Sequence, residues 1–293
     1  MAAVSSAIVK GERFDWGGLM LYSFLTVLAL FMLAPLVYMV STAFKPISEL
    51  FLFPPKFFVM NPTFKNFQNL LLVSGTSFVP FTRYAFNSFV VSFCIVVGGV
   101  VISAMAAFPL SKHLDMPFRK GIFNMIILAL MFAPQVTQIP QYLVINKLGL
   151  MNTYFALVIP YLAYPVGLFL MKQFLDQIPD ALLEAGKMDG AKDWTIFWKI
   201  IMPLLKPAWS TLALFVFVAA WNDPWSSAVY TTTEDMKTLP YALTTINGGT
   251  ANAIATAGTL GAASLLMIIP TIIVFVVTQK MVLETMAHSG IKE

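Results

Sequence analysis

The chain has 293 residues, of which 58% are apolar and 11% charged; eighteen basic and fourteen acidic side chains leave a net charge of +4. Soluble domains carry about 25% charge, so this composition excludes a soluble globular protein and indicates an integral membrane one. The small basic excess suits the anionic face of a bilayer rather than nucleic acid, and the single cysteine, Cys94, excludes an internal disulfide.

Residues 1–15 are a polar tail with Lys10 and Arg13, and residues 16–44 are uncharged. About 20 apolar residues cross a bilayer, so 16–44 is expected to be a first span. No small-residue cleavage site follows it, which favours a retained helix over a removed leader. Residues 45–83, with five prolines and scattered charge, read as a loop. The second span, 87–111, has a small-residue side of Gly98, Gly99, Ser103, Ala104, Ala106 and Ala107, suited to close packing. Cys94 lies in this run and is expected to be a small buried hydrophobe. A charged turn with Lys112, His113, Asp115, Arg119 and Lys120 leads to a third span, 121–141, containing Pro134 and Pro140. The fourth, 151–171, contains Pro160 and Pro165. Such prolines free carbonyls and permit kinks where neighbours or a wet cavity satisfy them. A fifth span, 207–230, is interrupted by Asn222-Asp223-Pro224, and a polar loop covers 231–252. The sixth span, 254–279, opens with the small pairs Ala257/Gly261 and Gly258/Ala262, four residues apart. A polar tail ends the chain, with 282–293 beyond the last hydrophobic stretch.

The expected fold is therefore all-α, with six transmembrane helices in one domain over 16–281. Six spans place both termini on one side. Counting basic residues by side gives twelve with the termini and six opposite, which together make the eighteen in the chain. That bias puts both termini in the cytoplasm.

Between spans four and five lies a densely charged stretch, residues 178–206. Ile178-Pro179-Asp180 can open a short helix, with Pro in the first turn and Asp as a cap, and Gly190 can stop it. A second helix starts at Asp193, another capping residue, and ends before Pro203. Its Trp194, Phe197, Trp198 and Ile201 fall at i, i+3, i+4 and i+7 and form one apolar face. A charged helix pair cannot lie in hydrocarbon, so it sits in water or at the interface, where that face needs lipid or a partner protein.

No phosphate-binding loop, metalloprotease motif, paired-cysteine motif or nucleophile elbow occurs, so nothing points to an enzyme. His113 and His288 sit in a turn and a tail and are expected to be solvated. Gln135, Gln138 and Gln141, three apart in span three, fit interhelical hydrogen bonds better than a solute path, though both readings stand. Tyr142, Tyr161 and Tyr164 fit interface anchoring ahead of stacking on a solute ring. Asp223 is expected to be wet or capping.

The charged stretch also carries a resemblance. Glu184-Ala185-Gly186, then Asp189-Gly190, then Ile200-Ile201-Met202-Pro203 resembles the cytoplasmic loop signature of permease subunits of ATP-binding-cassette importers. The spacing matches throughout; Gly186 stands where the signature has a second Ala, and Met202 where it has Leu. From Asn87-Ser88 onward the chain resembles the second permease of maltose-type carbohydrate importers. The run from Pro134 to Pro165, Trp221-Asn222-Asp223, Leu239-Pro240 and Gln279 carry that likeness, while residues 1–84 share only the layout.

The resemblance implies a partner set: a second related permease, two cytoplasmic ATPase subunits that bind ATP and magnesium, and an extracellular sugar-binding protein. This chain would bind no cofactor itself. It also implies that Glu184, Ala185, Gly186, Asp189, Gly190, Trp194, Phe197, Trp198, Ile201 and Pro203 couple to an ATPase. The segment of Leu239, Pro240, Asn247, Gly248 and Gly249 would meet the binding protein, and Gln135, Gln138, Gln141, Tyr142 and Asn222 would border the sugar path. Two alternatives are an ion-coupled secondary transporter and an importer permease for a non-sugar solute; a pore-free assembly subunit is a third. The span interiors lack acidic groups other than Asp223, which weighs against ion coupling.

Overall fold

The computed structural model describes residues 16–72, 79–113, 115–247 and 253–290, and every regular element among them is helical. In chain order these are α1 (Trp16–Phe44), α2 (Ile47–Leu50), α3 (Lys65–Leu72), α4 (Phe81–Lys112), α5 (Arg119–Leu130), α6 (Pro134–Lys147), α7 (Tyr154–Leu162) and α8 (Pro165–Asp176). There follow α9 (Ala181–Met188), α10 (Asp193–Ile196), a π-helical turn (Phe197–Ile201), α11 (Met202–Leu204), α12 (Lys206–Trp221), α13 (Trp225–Tyr230), a 3₁₀ turn (Glu234–Met236), α14 (Leu239–Asn247) and α15 (Ala253–Gly290). Three helices, α1, α4 and α15, are long and apolar enough to cross a bilayer unaided.

The other spans are broken: the interruption read at 222–224 is present, and the kinks allowed by the prolines of spans three and four are full breaks between separate helices. α5 and α6 meet at 109°, and α7 and α8 at 43°. Neither α5 nor α6 alone reaches across the roughly 30 Å of hydrocarbon. The cause is local. Ala133 and Tyr164 are extended, and each precedes a proline that opens the next helix. A residue before proline is sterically pushed out of the helical region, and the proline has no N–H to continue the ladder. α12 stops at Trp221, and α13 starts at Trp225 with Pro224 as its N-cap. Pro35, Pro109, Pro140, Pro160 and Pro270 stay inside helices. Span two begins at Phe81 rather than 87, and the last helix runs on to Gly290 through most of the expected tail.

Helix α4 is the axis on which α7, α8 and α12 pack, and α15 packs on α12 and α1. Small residues set these distances. A Cβ at Gly167 of α8 would lie 2.9 Å from the Ser103 hydroxyl of α4 and 2.8 Å from Leu212 of α12. A Cβ at Gly261 would lie 3.1 Å from the backbone of Ala43, and one at Gly258 2.6 Å from the Asn66 amide. The small face read in the sixth span is thus where α15 receives the end of α1 and the helix α3. Cys94 is exposed, on the outward side of α4, and not buried as expected.

The segment after α1 is more ordered than a loop reading implies. The Asn66 amide, buried, donates to the carbonyls of Ala43 at 2.9 Å and Lys45 at 2.7 Å. The Glu49 carboxylate accepts from the N–H groups of Met60 at 3.0 Å and Asn61 at 2.7 Å, and from the Asn61 side chain at 3.1 Å. Those donors, Met60 foremost, hold the Glu49 pKa below the usual 4.5 against the opposing effect of burial.

Two outcomes are expected. Gly258→Ala forces Asn66 off its two carbonyls, an overpacking cost of about 1–3 kcal/mol; Gly121→Ala, where an added Cβ meets nothing within 4 Å, is neutral. Thermal unfolding in detergent compares the two. Because the Glu49 pKa is lowered on folding, its contribution is complete above pH 4.5 and is lost as pH falls through the lower folded value. Protection factors at Met60 and Asn61, exchange rates referred to the intrinsic rate at each pH, therefore fall on acidification, and in Glu49→Gln they no longer change with pH there.

Candidate functional site

The helix pair between spans four and five is built from capping and close contact. Gly190 has φ +77, the left-handed conformation that ends a helix. Its N–H donates to Lys187 at 3.0 Å and that of Ala191 to Gly186 at 3.0 Å, the Schellman pair. Gly186 is buried, and a Cβ there would lie 3.1 Å from Ile200 and 3.4 Å from Ile196. Glycine in place of the signature's Ala thus lets α9 approach the second helix closely. The capping expected of Asp180 and Asp193 does not occur: neither side chain caps its helix. Asp180 pairs with Lys112 instead, at 2.7 Å.

The apolar face of the second helix divides. Phe197 is 3% exposed and Ile201 fully buried, while Trp194 is 60% and Trp198 39% exposed. Ile196, fully buried, and Ile200 extend the inward side. The indoles are held edge-to-face, 5.7 Å apart, with Phe197 against Trp198 at 5.0 Å. The outward surface of the pair therefore includes Trp194 and Trp198 with Glu184, Ala185, Asp189 and Pro203, all exposed. Among the described residues Glu184 makes no ion pair.

This surface is bolted to the spans. Lys112, its side chain 5% exposed, donates to the Ile178 carbonyl at 2.5 Å as well as to Asp180. Ser111 donates to Asp176 at 2.6 Å, and Phe108 meets Phe197 at 5.7 Å. His113, expected to be solvated, lies edge-on to Phe108 and 3.7 Å from Asp193, which also faces Lys187 at 3.7 Å. Lys112, His113, Asp115, Met116, Lys187 and Asp193 line an open cleft beside the pair.

On the opposite side of the bundle the expected polar loop is largely structured. Leu239 and Pro240 are buried, with the Leu239 N–H on the Ser88 hydroxyl at 2.7 Å, so they are packed core and not a free surface. Lys237 is buried too, donating to the carbonyls of Ser227 at 3.1 Å and Thr231 at 2.7 Å. Burial pushes its pKa below the usual lysine value, with Glu234 opposing. Asn247 ends α14; its side chain, Gly248, Gly249 and the His288 side chain lie outside the described residues.

Of the residues read as a solute path, Gln135 and Tyr142 are exposed and Gln138 and Gln141 half-buried on α6, and among the described residues none of the three glutamines makes the interhelical hydrogen bond expected of it. Asn222 returns to the Val218 carbonyl at 2.8 Å. Asp223 caps α13, accepting from Trp225 N–H at 2.8 Å, and accepts the Tyr161 hydroxyl at 2.7 Å, so Tyr161 is a partner of Asp223 and not an interface anchor.

A family model for binding-protein-dependent transport system inner membrane components matches residues 99–286, well over half of the chain. The chain belongs to this family. The match includes α9 to α11 and the broken spans and begins inside α4, so α1 to α3 lie outside it. A sn-glycerol-3-phosphate transport system permease protein of Yersinia pestis is 32% identical over 212 residues, 70% of this chain and 73% of that protein. Its counterpart from Yersinia enterocolitica is 36% identical over 149 residues, 51% of this chain and 53% of that one. A crystal structure of a bacterial ABC transporter involved in import of the acidic polysaccharide alginate contains a chain 25% identical, with a TM-score of 0.78 over 90% of this chain and 95% of that one. As a member of the family, this chain is a multi-pass membrane component of a transport system.

The division of the aromatic face gives a direct expectation. Phe197→Ala empties core space and costs about 3–5 kcal/mol, whereas Trp194→Ala, at a mainly exposed position, stays within about 0.5 kcal/mol. Thermal unfolding of the purified chain separates them; equal destabilisation would show that Trp194 also belongs to the core.

Proposed function

We propose that the chain is one permease of a carbohydrate ATP-binding-cassette importer, forming half of a path for a sugar or oligosaccharide with a second, related permease. ATP is hydrolysed by two separate cytoplasmic subunits, and an extracellular binding protein delivers the solute. The observation that carries this reading is the outward surface of the loop between spans four and five: the indoles of Trp194 and Trp198, which the chain's own core leaves uncovered, and on the preceding helix the exposed Glu184, which makes no ion pair among the described residues. Exposed aromatics suit a protein interface, where Trp anchors dominate binding energy. The alginate importer and an arabinooligosaccharide transport permease of Halalkalibacterium halodurans, 29% identical over 206 residues, support the carbohydrate class. The basic-residue bias supports a cytoplasmic placement of both termini and of this loop. Ion coupling is disfavoured because Asp223 is engaged by Tyr161 and by the α13 cap.

Replacing Trp194 and Trp198 together by Ala removes the anchors, at about 2–4 kcal/mol each. Glu184→Lys adds repulsion to the loss of a pair if its partner is basic, so it weakens assembly more than Glu184→Ala. Co-purification of the ATPase with the permease pair, run beside uptake into vesicles with and without internal ATP, measures both. Retention of the ATPase and of ATP-dependent uptake in all these variants would assign the patch to lipid.

A further inference from the structure

Helix α4 runs unbroken for 32 residues, about 48 Å, beside neighbours that are broken. Its outer end is locked into the segment after span five. Asn87, fully buried, donates to the carbonyls of Asp235 at 2.8 Å and Lys237 at 2.8 Å and accepts the Tyr154 hydroxyl at 2.7 Å. Ser88 accepts the Leu239 N–H at 2.7 Å, and Arg83 donates to the Asp235 carbonyl at 3.0 Å. Its inner end is locked into the loop between spans four and five through Ser111 to Asp176, Lys112 to Ile178 and Asp180, and Phe108 against Phe197. The weak point midway, Gly98-Gly99, is braced: a Cβ on Gly98 would lie 2.6 Å from Leu162, so the end of α7 closes directly over it.

We propose that α4 is a rigid strut that carries displacement of the outer segment 231–247 to the helix pair at 178–204, with Asn87 and Lys112 as the positioning residues at its two ends. Buried hydrogen bonds at both ends leave no slack, since a shift of α4 that parted either set would strand buried polar groups. A close-packed helix transmits strain along its length, whereas breaks at 131–133, 163–164 and 222–224 absorb it. The direction of the strut is across the membrane, between a segment facing one side and a segment facing the other. The inference rests on the coupling role proposed above. That role fails on ATPase co-purification, and the strut fails separately on the experiment that follows.

The test is amide exchange on the chain in the assembled transporter in lipid nanodiscs. Asn87 and Lys112 are about 37 Å apart along the helix, and sites so distant are independent unless one element joins them. Asn87→Ala is expected to raise exchange over residues 181–196 at least fivefold, and Lys112→Met to raise it over 234–239 by a similar factor. The α3 amides, held by Asn66 against α15, should be unchanged in both. Effects confined to the mutated end overturn the proposal, as does an equal rise in α3, which marks general loosening. Arg83→Gln at a half-buried side chain and Asp180→Asn at an exposed one repeat the comparison should the buried replacements not assemble, with an expected remote effect of about twofold; no remote effect in that pair also overturns it.

Discussion

A peptide group surrounded by hydrocarbon must find its hydrogen-bond partner inside the protein, and this constraint organises the chain. Continuous helices meet it automatically, as α1, α4 and α15 do. The broken spans meet it by supplying local substitutes at each break. At 222–224 the Asp223 carboxylate takes the N–H groups that open α13 and the Tyr161 hydroxyl from beside the break in span four. Two interruptions on neighbouring spans are therefore stitched by one carboxylate.

Where the chain leaves the hydrocarbon, buried lysines do the corresponding work for carbonyls. Lys45 donates to the Lys56 carbonyl, Lys112 to Ile178, and Lys237 to Ser227 and Thr231. Lys45 and Lys237 are buried, and the Lys112 side chain is 5% exposed. At Lys237 one ammonium with three donors serves two carbonyls at once on a flexible stem. Connections that composition marks as polar loops thereby become fixed structure, and the elements they join lose independent freedom.

Much of this was legible in the sequence. The uncharged runs located α1, α4 and α15, the stop at Gly190 appears as read, and the small residues of the last span lie where α1 and α3 approach it. The errors share a cause: each needed knowledge of which neighbour a side chain meets. Proline alone does not distinguish a break from a tolerated kink, since Pro134 and Pro165 open new helices while Pro140 and Pro160 do not. In the second helix of the charged loop, Ile196, Phe197, Ile200 and Ile201 make an apolar arc broad enough to merge with the tryptophans. Periodicity grouped Phe197 and Ile201 with the indoles on one outward face, whereas tertiary packing turns those two inward beside the isoleucines and leaves the indoles outside. The buried state of Lys237 and Leu239 was hidden because their partners, Ser88 and Ser227, lie on other helices.

Cys94 gives α4 a practical property. The chain has one thiol, and it lies on the exposed flank of that helix, between the clamp at Asn87 and the glycines braced by α7. A spectroscopic label attached there needs no prior cysteine removal from this chain and disturbs no internal packing. The natural sequence thus carries its own reporter position, and the mobility of a spin label at that point would register how tightly its surroundings hold α4 as the transporter turns over.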